Sequence, residues 1–287
     1  MIAQLALVLA AALPLDPASS GYADEKGVML RSPEGVACTD SGTVVAADTG
    51  NGRLVLFTFQ DGKLVAGRDV RAPELGRPIR LQLDSKGNVL ALDGKGRRIA
   101  RIGAGGAFAG FLQLAGIPQA NGFFPISFKI GPADAVYLLD ASSARVVVVD
   151  AAGAFQRQLE LPRGGSFTDI AVDAQGTVYA VDGVAAQLFL ARPGASTFAP
   201  LGRPLKDVLN FPTYLTLTAQ GPIVLVDQHG NGLVILGKDG AYLGRRLSIG
   251  WSEGLVYYPG QVCINSRGDA FVADRGNHRI QAFTAPK

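Results

Sequence analysis

Two carboxylates, Glu34 and Asp169, open comparable segments of the chain: Glu34 follows Pro33 and leads into Gly35-Val36-Ala37, and Asp169 follows Thr168 and leads into Ile170-Ala171-Val172. Oxygen donors of this kind suit calcium or magnesium. Carboxylates in separate loops are, however, more often solvated or bonded to backbone N–H groups than catalytic. Other chemistry is thinly represented. The only histidines are His229 and His278, whereas a zinc site wants three or four protein ligands. The chain has no Cys-x-x-Cys-His haem motif, no Gly-x-x-x-x-Gly-Lys phosphate loop and no nucleophile elbow. GAGGAFAG at 103–110 reads as a hairpin turn rather than a dinucleotide loop.

The elements that must position these groups are set by a repeat. Asp48, Asp93, Asp140, Asp182, Asp227 and Asp274 recur at intervals of 45, 47, 42, 45 and 47 residues. Six residues before each stands Gly42, Gly87, Asp134, Gly176, Gly221 or Gly268, residues that tolerate a tight turn. A short apolar run separates turn from aspartate, and an apolar residue returns six positions later, from Leu54 to Ile280. A second turn follows, as in Asp61-Gly62 and Asp239-Gly240. Each unit therefore reads as four short strands, and the near-continuous apolar runs suit strands covered on both faces. Repetition also argues that the six aspartates are structural, acting as staples between blades through backbone N–H groups and through Arg53, Arg98, Arg145 and Arg279, five residues on.

Four strands in each unit of this length define a β-propeller blade. The expected fold is all-β, a six-bladed β-propeller of four-stranded antiparallel blades over residues 24–287. The last repeat, VADRGNHRIQAF, resembles the NHL family, with Asn277-His278-Arg279 echoing the family's triplet; ADTGNGRLVLF and LDASSARVVVV keep less of it, and VDGVAAQLFLA has lost the triplet.

Loops that open the innermost strands line one mouth of such a ring. Most carry a proline there (Pro33, Pro78, Pro125, Pro212, Pro259), with Thr168 in its place in the fourth blade, so the expected mouth ring is Glu34, Ile79, Ile126, Asp169, Thr213 and Gly260. Ser32-Pro33-Glu34-Gly35 and Thr168-Asp169-Ile170 are similar to segments of the regucalcin and gluconolactonase family. That resemblance implies that Glu34 and Asp169 ligate a divalent metal such as calcium, with Asp169 as catalytic base. The asparagines that complete such a site are missing, since Ile126 and Thr213 stand there, and no resident cofactor is expected on the main reading. Aromatic residues Phe123, Phe124, Phe167, Phe211, Tyr214, Tyr257, Tyr258 and the sole tryptophan, Trp251, fall in the loops before the third to sixth blades. An apolar patch with a polar rim on a soluble protein is a binding surface. Glu34, Arg80, Phe123, Asp169, Tyr214 and Tyr257 are the candidate ligand-binding residues. Arg80 belongs to a basic run from Arg77 to Arg101 that suits a solvated rim.

The ends of the chain complete the reading. The sixth repeat lacks an outermost strand, and residues Gly27 to Arg31 are expected to supply it by pairing with Arg279 to Thr284, which removes the open edges of the ring. Cys38 and Cys263 fall on the innermost strands of the first and last blades, at a parity that permits either a disulfide or two free thiols. Residues 2–13, IAQLALVLAAAL, resemble the apolar core of a secretory signal without its usual basic start, so residues 1–23 are expected to be a signal peptide cleaved before Asp24. The expected product is periplasmic or extracellular, monomeric, not inserted in the membrane, and a binding or scaffold module for a protein, peptide or glycan. With a formal charge of only +3 and export expected, nucleic acid is not a foreseen partner. The enzyme alternative is a metal-dependent lactonase-like hydrolase.

Overall fold

The structure is a computed structural model that describes residues 13–72 and 74–285. Six four-stranded sheets follow one another along the chain. Each is antiparallel, and the innermost strands lie side by side around an axis: Gly35–Cys38 touches both Pro78–Leu83 and Val262–Ile264, which closes the ring. Every repeat aspartate ends the second strand of its blade, as in Val89–Asp93 and Ala270–Asp274. The tight turns between first and second strands use the left-handed backbone, which glycine adopts without a Cβ clash; Gly87 has φ 77° there, and Asp134, which replaces glycine in the third blade, has φ 57°.

The second strands are buried along their whole length, from Val89–Asp93 to Ala270–Asp274. Each packs one face on the preceding blade and one on the following blade, which is why their sequences show no alternation. Between the fourth and fifth blades, for example, Val181 and Leu188 meet Leu215, Leu225 and Val234 in one apolar cluster. Each such side chain contributes roughly 1.5–3 kcal/mol by leaving water.

The ring is closed by an N-terminal strand, but not by the expected one. Asp16–Gly21 pairs antiparallel with Arg279–Thr284, from Asp16 opposite Thr284 to Gly21 opposite Ile280, with an irregularity at Pro17. The more apolar stretch after Gly27 instead folds back in a small hairpin in which Ala23 pairs with Met29, leaving Val28 and Met29 exposed. An outer edge strand needs backbone groups far more than apolar side chains, and it tolerates proline where no ladder bond is required. Ser19 also accepts the Leu64 N–H at 2.7 Å through its hydroxyl, so the strand is tied to the first blade as well. The closing strand thus lies inside the stretch read as a leader. The rest of that apolar run, residues 1–12, lies outside the described residues.

Cys38 and Cys263 are joined by a disulfide, with Cα atoms 5.9 Å apart and 225 residues between them in sequence. It links the innermost strands of the first and last blades on the other side of the same seam.

Candidate functional site: channel and loop face

The aspartates at the strand ends organise the loop face. Each accepts the backbone N–H of the loop that opens its own blade: Arg31 on Asp48, Arg77 on Asp93, Phe124 on Asp140, Ser166 on Asp182, Phe211 on Asp227 and Tyr257 on Asp274. They therefore staple an incoming loop to its blade rather than one sheet to the next, as the spacing had suggested. Arginine completes the motif where present, with Arg53 Nε 2.7 Å from Asp48 and Arg279 Nε 2.8 Å from Asp274. Arg53 also meets Asp24, which caps the N-terminal hairpin through the N–H groups of Lys26 and Val28. Burial would raise the Asp24 carboxyl, but the Val28 N–H, Arg53 and the Lys26 N–H outweigh it and hold it below its ordinary value.

Strand register corrects the expected mouth ring by one residue in the fourth blade. Pro78, Pro125, Phe167 and Pro212 stand opposite Asp93, Asp140, Asp182 and Asp227, and each is followed by one bulged residue. Phe167, not Thr168, occupies the proline position. Thr168 is therefore the counterpart of Ile79, Ile126 and Thr213, while Asp169 shares its position with Arg80, Ser127 and Tyr214. These residues turn inward one step below the mouth.

There they bridge the channel. Arg80 reaches from the second blade to the Thr213 carbonyl of the opposite, fifth blade at 3.0 Å. Gln82 donates to the Tyr214 hydroxyl at 3.3 Å across the same gap. Gln261 of the sixth blade donates to the Val36 and Leu81 carbonyls, both at 2.8 Å, and to the Tyr214 hydroxyl at 3.1 Å. Asp169 is fully buried. One of its oxygens accepts from the Ser127 hydroxyl; the other accepts from Lys129 Nζ at 2.9 Å and from the Leu215 N–H at 2.6 Å. Lys129 Nζ also donates to the Leu215 carbonyl at 2.8 Å and lies 3.4 Å from the centroid of the Tyr214 ring, a cation–π contact.

This arrangement does not bring Glu34 and Asp169 together as a metal pair. Glu34 stays at the mouth, its carboxylate shared by Arg77 Nη2 at 2.9 Å and Arg275 Nε at 3.7 Å. Asp169 has its oxygens taken by an ammonium, a hydroxyl and an amide N–H. A divalent cation needs several free oxygen donors, and here each carboxylate already faces a fixed cation. The donor set does not fit the metal, and among the described residues no cluster of three or more His, Cys, Asp or Glu side chains could hold one. Lys129, Gln82, Ser127 and Gln261 escaped the sequence reading. Their signal was present as polar residues on innermost strands, but it becomes visible only after the one-residue bulge is counted.

The aromatic residues divide. Tyr214 and Phe167 are buried, the latter against Phe189 with ring centroids 5.4 Å apart. Phe123 is half-buried beside Leu92 and Phe128 in the cluster between the second and third blades. The others assemble on the loop face. Phe211 stacks on His229 at 5.0 Å, His229 meets Tyr258 edge-on at 5.9 Å, Tyr258 meets Tyr257 at 4.8 Å, and Tyr257 meets Trp251 at 6.0 Å. Trp251 is 74% exposed and Tyr258 40%. Gly276 seats this track, because a Cβ there would fall 2.4 Å from the Tyr257 ring. His278 lies apart from it, its Nδ1 accepting the Ser32 N–H at 2.9 Å.

Comparison with known proteins agrees with this architecture. Residues 256–283 match the NHL repeat, so the last blade carries that motif, and the six sheets form a six-bladed propeller. The chain is similar in fold to a streptogramin B lyase, at 14% identity over 94% of this chain and 97% of that one, with a TM-score of 0.66. A virginiamycin B lyase from Staphylococcus aureus, solved as a catalytically inactive variant with quinupristin, gives 15% identity over 90% and 96% and the same TM-score of 0.66. A protein carrying a provisional gluconolactonase designation gives 16% identity over 96% of each chain and a TM-score of 0.68. The sequence matches no curated protein.

Proposed function

We propose that the protein is an exported, non-catalytic binding propeller that engages a protein, peptide or glycan partner through its loop face. The observation that carries this reading is the bridged channel: the axial position at which a six-bladed hydrolase would hold a metal contains the Lys129–Asp169 pair, Tyr214 and the cross-ring bonds of Arg80 and Gln261. The exposed side chains available to a partner are instead on the loops, where Trp251 and Tyr258 lead an ordered aromatic track. A disulfide across the closing seam supports an oxidising compartment, periplasmic or extracellular. In this reading the monomer needs no cofactor and has no nucleic-acid partner.

The competing reading is hydrolysis of a lactone with a divalent metal, in keeping with the resemblance of the Glu34 and Asp169 segments. Assay of the purified protein on a panel of lactones with calcium, magnesium, manganese or zinc separates the two. The binding reading expects no metal-dependent turnover. Turnover that is abolished in Asp169→Asn while the protein stays folded would replace it with the enzyme reading. Retention of a partner from the exported fraction by native protein, but not by Trp251→Ala/Tyr258→Ala, is the expected positive result.

A further inference from the structure

We infer that the loop face binds an acidic polysaccharide, a uronate polymer laid along an arc from the fifth blade to the second. This rests on the binding reading above and names the ligand class for it. Two independent features meet on one face. The aromatic track runs from Phe211 to Trp251 across the fifth and sixth blades. Exposed ring faces carry negative π density that attracts the weakly positive C–H face of a pyranose.

Next to the track the face becomes basic. Tyr257 packs on the turn that carries Arg275, Arg275 shares Glu34 with Arg77, and the side chain of Lys95 lies against Gly76, the residue before Arg77. Lys95 and Arg31 are exposed and make no ion pair among the described residues. Arg97 lies 4.1 Å over the Phe124 ring and has no carboxylate partner among the described residues. The carboxylates Glu34 and Glu74 thus stand among a larger number of cations, and Glu253 lies two residues beyond Trp251. Arg80, one step below the mouth, hydrogen-bonds only to carbonyls and lies over the Tyr214 ring, and its Nε and the Thr213 hydroxyl are buried without a hydrogen-bond partner.

The opposite face is mixed in charge. Its turns carry Asp40, Asp84, Asp134, Asp150, Asp173 and Asp269 together with Lys86, Arg101, Lys238 and Arg267, and most of these carboxylates accept N–H groups of their own or a neighbouring turn, so both signs are interspersed there and no basic stripe forms among the described residues. Charge complementarity calls for an anion and the aromatic track for a ring-shaped apolar face; a uronate polymer carries both in every residue. The disulfide, which belongs to an oxidising compartment, favours a glycan over RNA as that anion.

Trp251 is the only tryptophan and serves as the reporter. Titration of the full folded chain with polygalacturonate should shift or quench Trp251 emission. Calorimetry should show binding weakened about tenfold in Arg77→Gln/Lys95→Gln, the loss that two exposed charge contacts carry. Trp251→Ala, checked by thermal melting, should weaken binding without unfolding the ring, and dextran, a neutral glucan, should not bind. Equal binding of dextran and polygalacturonate, or binding of single-stranded RNA with none of polygalacturonate, overturns the inference. So does the absence of any polysaccharide binding; if the protein then still retains a partner through Trp251 and Tyr258, the binding reading stands while this ligand assignment falls.

Discussion

Lys129 Nζ lies 2.9 Å from the Asp169 carboxylate inside the ring, with 6% of the lysine side chain and none of the aspartate exposed. Its attraction is offset largely by the cost of removing both charges from water, so the pair adds little net stability over an apolar pair of equal volume. Removal of one partner is different, because a charge is left buried alone.

Lys129→Met and Asp169→Leu are each expected to destabilise the fold by about 3–5 kcal/mol. The double variant Lys129→Met/Asp169→Leu should recover much of that loss. Urea unfolding of the four proteins gives the coupling directly. Additive losses would mean that the two groups do not interact in solution.

Reduction of the Cys38–Cys263 disulfide should lower stability substantially, since it releases a 225-residue loop. The chain-entropy relation gives roughly 5 kcal/mol for such a loop at room temperature. Thermal melts with and without reductant measure it, and a thiol assay on the unfolded, unreduced protein should find no free thiol.

On the reading that the protein is exported, processing should leave the closing strand in place. Asp16–Gly21 pairs with the last strand, and the Leu13 carbonyl accepts from Arg246 Nε at 2.9 Å, so cleavage after Ala23 would strip the sixth blade of its outer strand. Intact-mass measurement is expected to place the mature N-terminus before Asp16. A protein that begins at Asp24 yet melts as a closed, cooperative ring would contradict this.

Acid should loosen the Asp140 staple. Asp140 would be raised by burial, yet the Ser142 hydroxyl, the Phe124 N–H and Arg145 hold it below its ordinary value of 3.8. Because the folded form has the lower pKa, its contribution is present above pH 3.8 and is lost as pH falls through the depressed value. Asp24 behaves in the same sense. Asp140→Asn should therefore cost stability at neutral pH and flatten the fall in melting temperature below pH 4.

Much of the fold was legible because six aspartates at even spacing report backbone geometry, and apolar second strands report burial on both faces. The closing strand was not, because Asp16-Pro17-Ala18-Ser19 carries none of the composition of a strand, whereas Val28-Met29-Leu30 carries it and lies in a hairpin. The site was misread by one position where Phe167 stands in place of proline. A period-two strand turns that single step into the difference between a carboxylate at the mouth and one buried on Lys129. The sequence places Phe211, Trp251, Tyr257 and Tyr258 in one loop cluster with Phe123, Phe124, Phe167 and Tyr214 without separating exposed from buried rings, and it gives no sign of His229, since only the packed loops bring it between Phe211 and Tyr258.

The seam also sets the order of assembly. The sixth blade takes its outer strand from residues 16–21 and its final partner from residues 279–284, and the disulfide joins positions 38 and 263. Early blades can collapse as they emerge, but the ring cannot lock until residues 279–284 have been delivered. A chain built this way stays open during synthesis and becomes resistant only once both ends meet in one sheet.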